Sequence, residues 1–207
     1  MYFDIGAHIG KWSTENIIFC DKIIAVEADP ETFNILKNNV SKSIKPIITS
    51  NYVVCNSCNE TIDFFRCINA DTVSTIHEEW LSHPKSRFFG FKYTKIQCIP
   101  ISIDKLIEIY GVPELIKIDV EGAEYECITS LTQKVDTLCF EWASELKNIA
   151  FRSLHYLKNL GYEKFYVQYE DAYTFRPLNT DYKNIDIIIN ELHNTIDKNH
   201  WGMIWCK

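Results

Sequence analysis

Three short stretches of this 207-residue chain place reactive side chains at spacings that chemistry would use. The first is Asp4-Ile5-Gly6-Ala7-His8-Ile9-Gly10, between an apolar run and a helical pattern. Glycines there let the backbone turn sharply and approach a ligand, and a following helix offers unpaired N–H groups. The spacing differs from the G-x-G-x-x-G of dinucleotide sites. It fits D/E-x-G-x-G-x-G, with His8 in place of the middle glycine. The second is Glu27, which ends the next apolar run. An acid there can accept both ribose hydroxyls of a nucleoside cofactor. Its competing use is as a surface carboxylate capping the next helix, but Asp29 suits that task better and leaves Glu27 free. The third is Ile116-Lys117-Ile118-Asp119-Val120-Glu121-Gly122-Ala123-Glu124. Three carboxylates gather where a buried strand gives way to a helix. The helix macrodipole accounts for Glu124 but poorly for Asp119.

The elements that must position these groups are short β-rich runs alternating with helical patterns, as in βαβ units of a mostly parallel sheet. Such sheets bind ligands at their carboxyl edge. Residues 2–5 read as a first strand, 11–20 as a helix and 23–27 as a second strand. Asp29 as N-cap and Pro30 as N1 open a helix carrying Phe33, Leu36 and Val40. Residues 47–54 read as a third strand, with 61–65 as its antiparallel partner beyond a turn at 56–59. The stretch 66–95 is irregular, mixing aromatics with Lys85, Arg87, Lys92 and Lys95. Then follow helices near 103–110, 123–131 and 149–160, and strands at 115–119, 137–141, 164–168 and 185–189. Without repeats or linkers, residues 1–207 read as one domain with an irregular insertion at about 66–95. The chain starts almost directly in its first strand, as a minimal domain or one cut from a longer polypeptide would.

A net charge of -7 argues against nucleic acid as the main substrate. No apolar run is long enough to cross a bilayer and the start lacks a signal-peptide pattern, so no membrane partner is expected. The eight cysteines are irregularly spaced and several lie in apolar runs, which points to free thiols in a reducing, cytoplasmic compartment. Cys55 and Cys58 form a lone CxxC without the further ligands of a zinc site. Tyr166, Tyr169, Tyr173, Phe175, Trp80, Phe88, Phe89 and Phe91 could stack on sugar rings, although core packing is the expected role for most. His77 and His83 are expected to be solvated loop residues.

Taken together, DIGAHIGKWS, AVEADPETF and IKIDVEGAEYECI, in this order, resemble the FkbM-type methyltransferase family. The resemblance spans nearly the whole chain, including IPISIDKLI and Glu141. It implies a class I (Rossmann-like) α/β fold: a doubly wound, seven-stranded, mostly parallel sheet with an antiparallel last strand. It also implies S-adenosylmethionine as cofactor and O-methylation, typically of sugar or polyketide hydroxyls. The family pattern places Asp4, Gly6, His8 and Gly10 around the methionine part and Glu27 at the ribose. Asp119 and Glu121 then lie near the transferred methyl. The chain departs from the family in His8, where asparagine is frequent, and in lacking an N-terminal extension.

A protonated hydroxyl is a poor nucleophile, so the implied in-line displacement needs a base or a metal. Asp119 and Glu141, ending neighbouring strands, could converge on Mg²⁺ or Mn²⁺. Alternatively Asp119 or Glu121 acts as general base without metal, which is preferred because two oxygen ligands fall short of a full shell. The expected acceptor is a glycan or small-molecule hydroxyl. A non-carbohydrate hydroxyl and a non-catalytic cofactor-binding subunit are the alternatives.

Overall fold

Strands apolar on both faces are stable only when helices cover both sides of the sheet. A computed structural model of the chain, describing residues 1–84, 86–170, 172–195 and 200–207, shows that arrangement. Lys85 lies outside the described residues. The first half runs β1 (Tyr2–Ile5), α1 (Lys11–Asn16), β2 (Ile23–Val26), α2 (Pro30–Val40), β3 (Ile47–Ser50) and β4 (Val53–Val54). Next come β5 (Ile62–Cys67), α3 (Glu78–Ser82), β6 (Tyr93–Cys98), β7 (Pro100–Ile101) and α4 (Ile103–Tyr110). The second half is β8 (Leu115–Ile118), α5 (Glu124–Ile128), β9 (Thr137–Ala143), α6 (Lys147–Asn159), β10 (Phe165–Tyr169), α7 (Ile185–Asn194) and β11 (Trp201–Cys206).

Seven of these strands form one sheet in the order β10-β11-β9-β8-β1-β2-β3. All pairs are parallel except those of β11 with β9 and with β10. This is the doubly wound class I arrangement. The chain winds outward from β1 to β3, then returns to lay β8 on the other side of β1. The reversal opens a crevice above the carboxyl ends of β1 and β8, where open α/β sheets bind ligands. On one face, Phe3, Ile5, Ile116, Ile118 and Phe140 pack against Leu106, Ile128, Leu154, Leu157 and Ile188. On the other, Ile23, Ala25 and Trp205 meet Trp12, Leu36 and Val40. No described helix is long and apolar enough to cross a membrane. All eight thiols are free, and seven are buried; Cys58 is exposed.

Four expectations are corrected. Residues 47–54 are two strands: β3 edges the main sheet, while β4 pairs with β7 elsewhere. The chain breaks at Asn51, whose side chain donates to the carbonyls of Glu27 and Ala28. β5 does not pair with the third strand; its antiparallel partner is β6, so the irregular stretch hangs between two strands of a long hairpin. Residues 185–189 are helical: Asn184 caps α7 by accepting from Ile187 N–H at 3.0 Å. Ile185, Ile188 and Leu192 are buried at helical spacing, which overrides the β preference of the isoleucines. The antiparallel seventh strand is β11 instead. The first helix also ends early, passing into a 3-10 turn at Ile17–Phe19.

Tyr162, fully buried after α6, accepts a hydrogen bond at 3.2 Å from Val135 N–H through its phenol oxygen. Tyr162→Phe removes the acceptor and strands a buried donor. Denaturant unfolding should show a loss of about 1–3 kcal/mol with the fold intact; an unchanged midpoint would contradict the assignment.

Candidate functional site

The glycine loop leaves β1 at the crevice and is fixed there by backbone. Gly6 N–H and Ala7 N–H both donate to the Val26 carbonyl at 3.0 Å. Gly6 has φ +73, and a Cβ on it would lie on the carbonyl oxygen of Asp119. His8 also adopts positive φ, and its N–H donates to Glu27 Oε2 at 2.8 Å. Glu27 Oε1 accepts from Asp29 N–H at 2.8 Å. Asp29, not Glu27, caps α2, accepting from Glu31 N–H and Thr32 N–H. Glu27 is therefore a buried carboxylate aimed back at the loop, and burial raises its pKa. Each of its oxygens keeps a second lone pair for a ligand.

A cavity of about 260 Å³ follows, lined by Gly6, Ala7, His8, Glu27, Lys117, Asp119, Glu121 and Glu141 among others. The sheet order sets its length. Glu27 follows β2 and Glu141 lies on β9, three strand spacings away, or about 14 Å. Val26, Ala28, Val54, Phe64 and Ile76 add an apolar wall. Two expected ligand contacts do not line this space. Asp4 is fully buried beneath it, accepting from Ser13 Oγ at 2.6 Å. Gly10 turns the chain into α1 and faces Leu36 and Val40.

Beneath the loop, the buried Lys117 Nζ lies 3.3 Å from Asp4 Oδ1 and 3.2 Å from Asp119 Oδ2. It also donates to the Gly6 carbonyl at 3.0 Å. Above it, Asp119, Glu121 and Glu141 each present an oxygen within 4.8 Å of the others. Burial, then the charge of Asp119, holds Glu121 well above the usual carboxylate range. Burial, then Glu121 and Asp119, does the same to Glu141. Glu121 has φ +54 and Gly122 φ +89, a turn that needs support. Glu124 supplies it: its Oε1 accepts from Val120 N–H and Gly122 N–H, each at 3.2 Å.

The hairpin between β5 and β6 covers the cavity. Arg66 anchors it to Asp29 and Glu31 at the start of α2. Asp71 Oδ2 reaches His8 Nε2 at 3.2 Å. His77 is not simply solvated; it pairs with Glu126 at 3.2 Å, which raises its pKa. Trp80 is buried against Phe88, and Arg87 pairs with Glu145 at 2.9 Å. Of the C-terminal aromatics, Tyr166 stacks on Phe175 as core, Tyr169 packs on Trp142, and Tyr173 reaches the cavity.

The role of Lys117 was not read from sequence, Glu124 was read only as an acid favouring the helix start, and Trp80 only as one of several aromatics that could stack on a sugar or fill the core. Lys117 carried a usable signal, being a lone cation inside a strand whose other residues are all apolar. Trp80 carried none, because its position depends on the hairpin.

Glu124 yields a pH prediction. Burial, before other causes, raises its pKa from 4.5 to about 7. The fold therefore binds a proton that the unfolded chain gives up, and this contribution to stability falls as pH rises from about 4.5 to about 7. Glu124→Gln keeps an acceptor for the two N–H groups but cannot ionise. The melting temperature of the parent relative to this variant should drop across that window; a constant difference from pH 4.5 to 7.5 would refute the assignment.

Residues 4–164 match the model of the methyltransferase FkbM domain. Among solved structures, the chain resembles Aeropyrum pernix fibrillarin, crystallised with natively bound S-adenosyl-L-methionine, at 11% identity and a TM-score of 0.45. That alignment covers 100% of this chain and 65% of fibrillarin. A Pyrococcus horikoshii protein described as an RNA methyltransferase aligns at 9% identity and a TM-score of 0.47, over 100% of this chain and 73% of its own. No curated protein matches in sequence. The domain match takes in the glycine loop, Glu27 and the whole carboxylate cluster, and the chain belongs to the methyltransferase FkbM domain family.

Proposed function

We propose that the chain is an O-methyltransferase whose acceptor is a hydroxyl of a sugar or glycan. The observation that carries this reading is the convergence of Asp119, Glu121 and Glu141 at the opposite end of one cavity from Glu27. The residues fit the donor. The cavity has an acid for a ribose, an apolar wall for a base and a loop close enough for backbone contact. When bound, S-adenosylmethionine supplies an electrophilic methyl group to an attacking oxygen. In this reading Glu27 and the N–H-rich loop at Gly6–His8 hold the donor, while Asp4 and Gly10 support that loop from below. Asp119, held by Lys117, fixes the field at the reacting end. Glu121, whose affinity for protons is raised, takes the proton of the acceptor hydroxyl and passes it to solvent. Four carboxylates (Asp119, Glu121, Glu141 and Glu145) against Arg87 and Lys117 favour an uncharged acceptor rich in hydroxyls over a phosphodiester.

A second reading keeps the acceptor and adds a cation. Three oxygens within 4.8 Å can serve a hard divalent ion such as Mg²⁺ or Mn²⁺, with Asp119 and Glu141 as ligands and Glu121 beside them. Chelation separates the two: only the metal route loses activity with EDTA and regains it with Mg²⁺ or Mn²⁺.

Titration calorimetry should show binding of S-adenosylmethionine and none of NAD, and Glu27→Gln should weaken the donor by about tenfold. Tight NAD binding, or an unchanged donor affinity in the variant, would overturn the donor assignment. Transfer from labelled donor to a panel of glycosides and non-carbohydrate alcohols identifies the acceptor class. On the best acceptor, Asp119→Asn and Glu121→Gln should each lower kcat by about 10²- to 10⁴-fold. Parent rates in both variants would show the cluster to be structural, and methylation of the alcohols alone would move the acceptor outside the carbohydrates.

A further inference from the structure

A single exposed aromatic residue is ordinary in a folded protein; what it stands beside can make it informative. Among the described residues, five aromatic side chains are exposed: Phe19, Phe89, Phe91, Tyr169 and Trp201. Of these, Trp201 alone lines the donor cavity. It begins β11, and because β11 runs antiparallel to β9, this first residue lies at the edge where the parallel strands end. Trp201 pairs with Ala143 and Met203 pairs with Glu141, which makes Trp201 and Glu141 diagonal neighbours on one face of the sheet. Such neighbours stand about 7–8 Å apart, within reach of an aromatic side chain.

The backbone beneath the indole is held on both sides. The Trp201 carbonyl accepts from Glu170 N–H at 2.9 Å, and the preceding carbonyl, of His200, accepts from Ser144 N–H at 2.9 Å. The side chain itself keeps 38% of its surface in water. It therefore borders the mouth of the cavity on a fixed strand. The sheet order puts Glu27 after β2, Asp119 after β8, Glu141 on β9 and Trp201 on β11. Trp201 thus lies beyond the acids, on the side away from the ribose end of the donor cavity.

An indole offers a flat apolar face, and the carboxylates of Asp119, Glu121 and Glu141 beside it offer acceptors for hydroxyl groups. A pyranose ring satisfies both at once, with an apolar C–H face and hydroxyls around its rim. An acyclic polyol has the hydroxyls without the face. An anionic sugar would meet the charge of the acids.

We propose that Trp201 is the platform of the acceptor subsite, on which an uncharged pyranose ring stacks by its C–H face and directs a hydroxyl at the acids. The proposal rests on the O-methyltransferase reading and adds where the acceptor lies and what orients it.

The test uses methyl pyranosides of hexoses and 6-deoxyhexoses, with labelled S-adenosylmethionine as donor and saturation-transfer NMR to read binding without turnover. Trp201→Ala should raise the KM for the pyranoside about tenfold and leave the donor Kd as in the parent. Trp201→Phe keeps a ring and should stay within about threefold of the parent. In the parent, saturation should be strongest at the C–H protons of one ring face, and alditols should bind more weakly than pyranosides. Parent KM in Trp201→Ala with methyl transfer intact, or uniform saturation of the ring, would overturn the platform and leave the sugar reading standing. Failure of the parent protein to bind or methylate any pyranoside, while binding the donor, would overturn both.

Discussion

The site depends first on the ammonium group of Lys117. It is buried in the middle of the sheet, where an isolated charge is prohibitively costly, and it is tolerated because two carboxylates and a carbonyl surround it. Those partners come from three places: Asp4 from β1, Asp119 from the end of β8 and Gly6 from the loop. One side chain thus ties together the two strands that flank the switch point and the turn that departs from it. Removing it would leave two carboxylates facing each other under the loop. The geometry of the crevice follows from the need to keep this charge paired.

The same pairing sorts the acids above it. Asp119 has a cation 3.2 Å away, and beyond it burial first, then the charge of Asp119 on Glu121 and those of Glu121 and Asp119 on Glu141, raises the proton affinities of the other two acids. Carboxylates of one chemical type thereby acquire different tasks through their surroundings alone. Glu124 shows the point in another way. It is adjacent in sequence to the cluster, yet both its hydrogen bonds go to the backbone of the turn that presents Glu121.

The parts of this arrangement that were readable from the chain are those governed by local rules. Buried four-residue strands, the Asp29-Pro30 helix start and the turn before Lys11 are written in adjacent residues, and the strand and helix positions around them agree with the structure. What escaped was set by partners far away in the chain. The Ile-rich run at 185–189 has a strand's composition, but three isoleucine and leucine side chains one helical face apart find the core only as α7. The pairing of β5 with β6 closes a loop that runs over residues 68–92, too long for any local turn signal to announce it. At the site, the glycine loop and the acids declared themselves by type and spacing. Whether a given acid faces the cavity or lies beneath it, as Asp4 does, depends on the lysine opposite, which sequence spacing does not encode.

Gly6 carries a consequence of a different kind. Its α-carbon and the carbonyl of Asp119 are in main-chain contact, with no room for even a methyl group between them. The separation of the loop from the end of β8 is consequently a dimension of the backbone, immune to rotamer changes and to most substitutions around it. Among the described residues, the hairpin above the crevice is held to the rest of the fold by side chains, including Arg66, Asp71, His77 and Arg87. Drift in sequence can therefore reshape the roof of this site while its floor stays fixed. Divergence among enzymes of this build would be written in the roof.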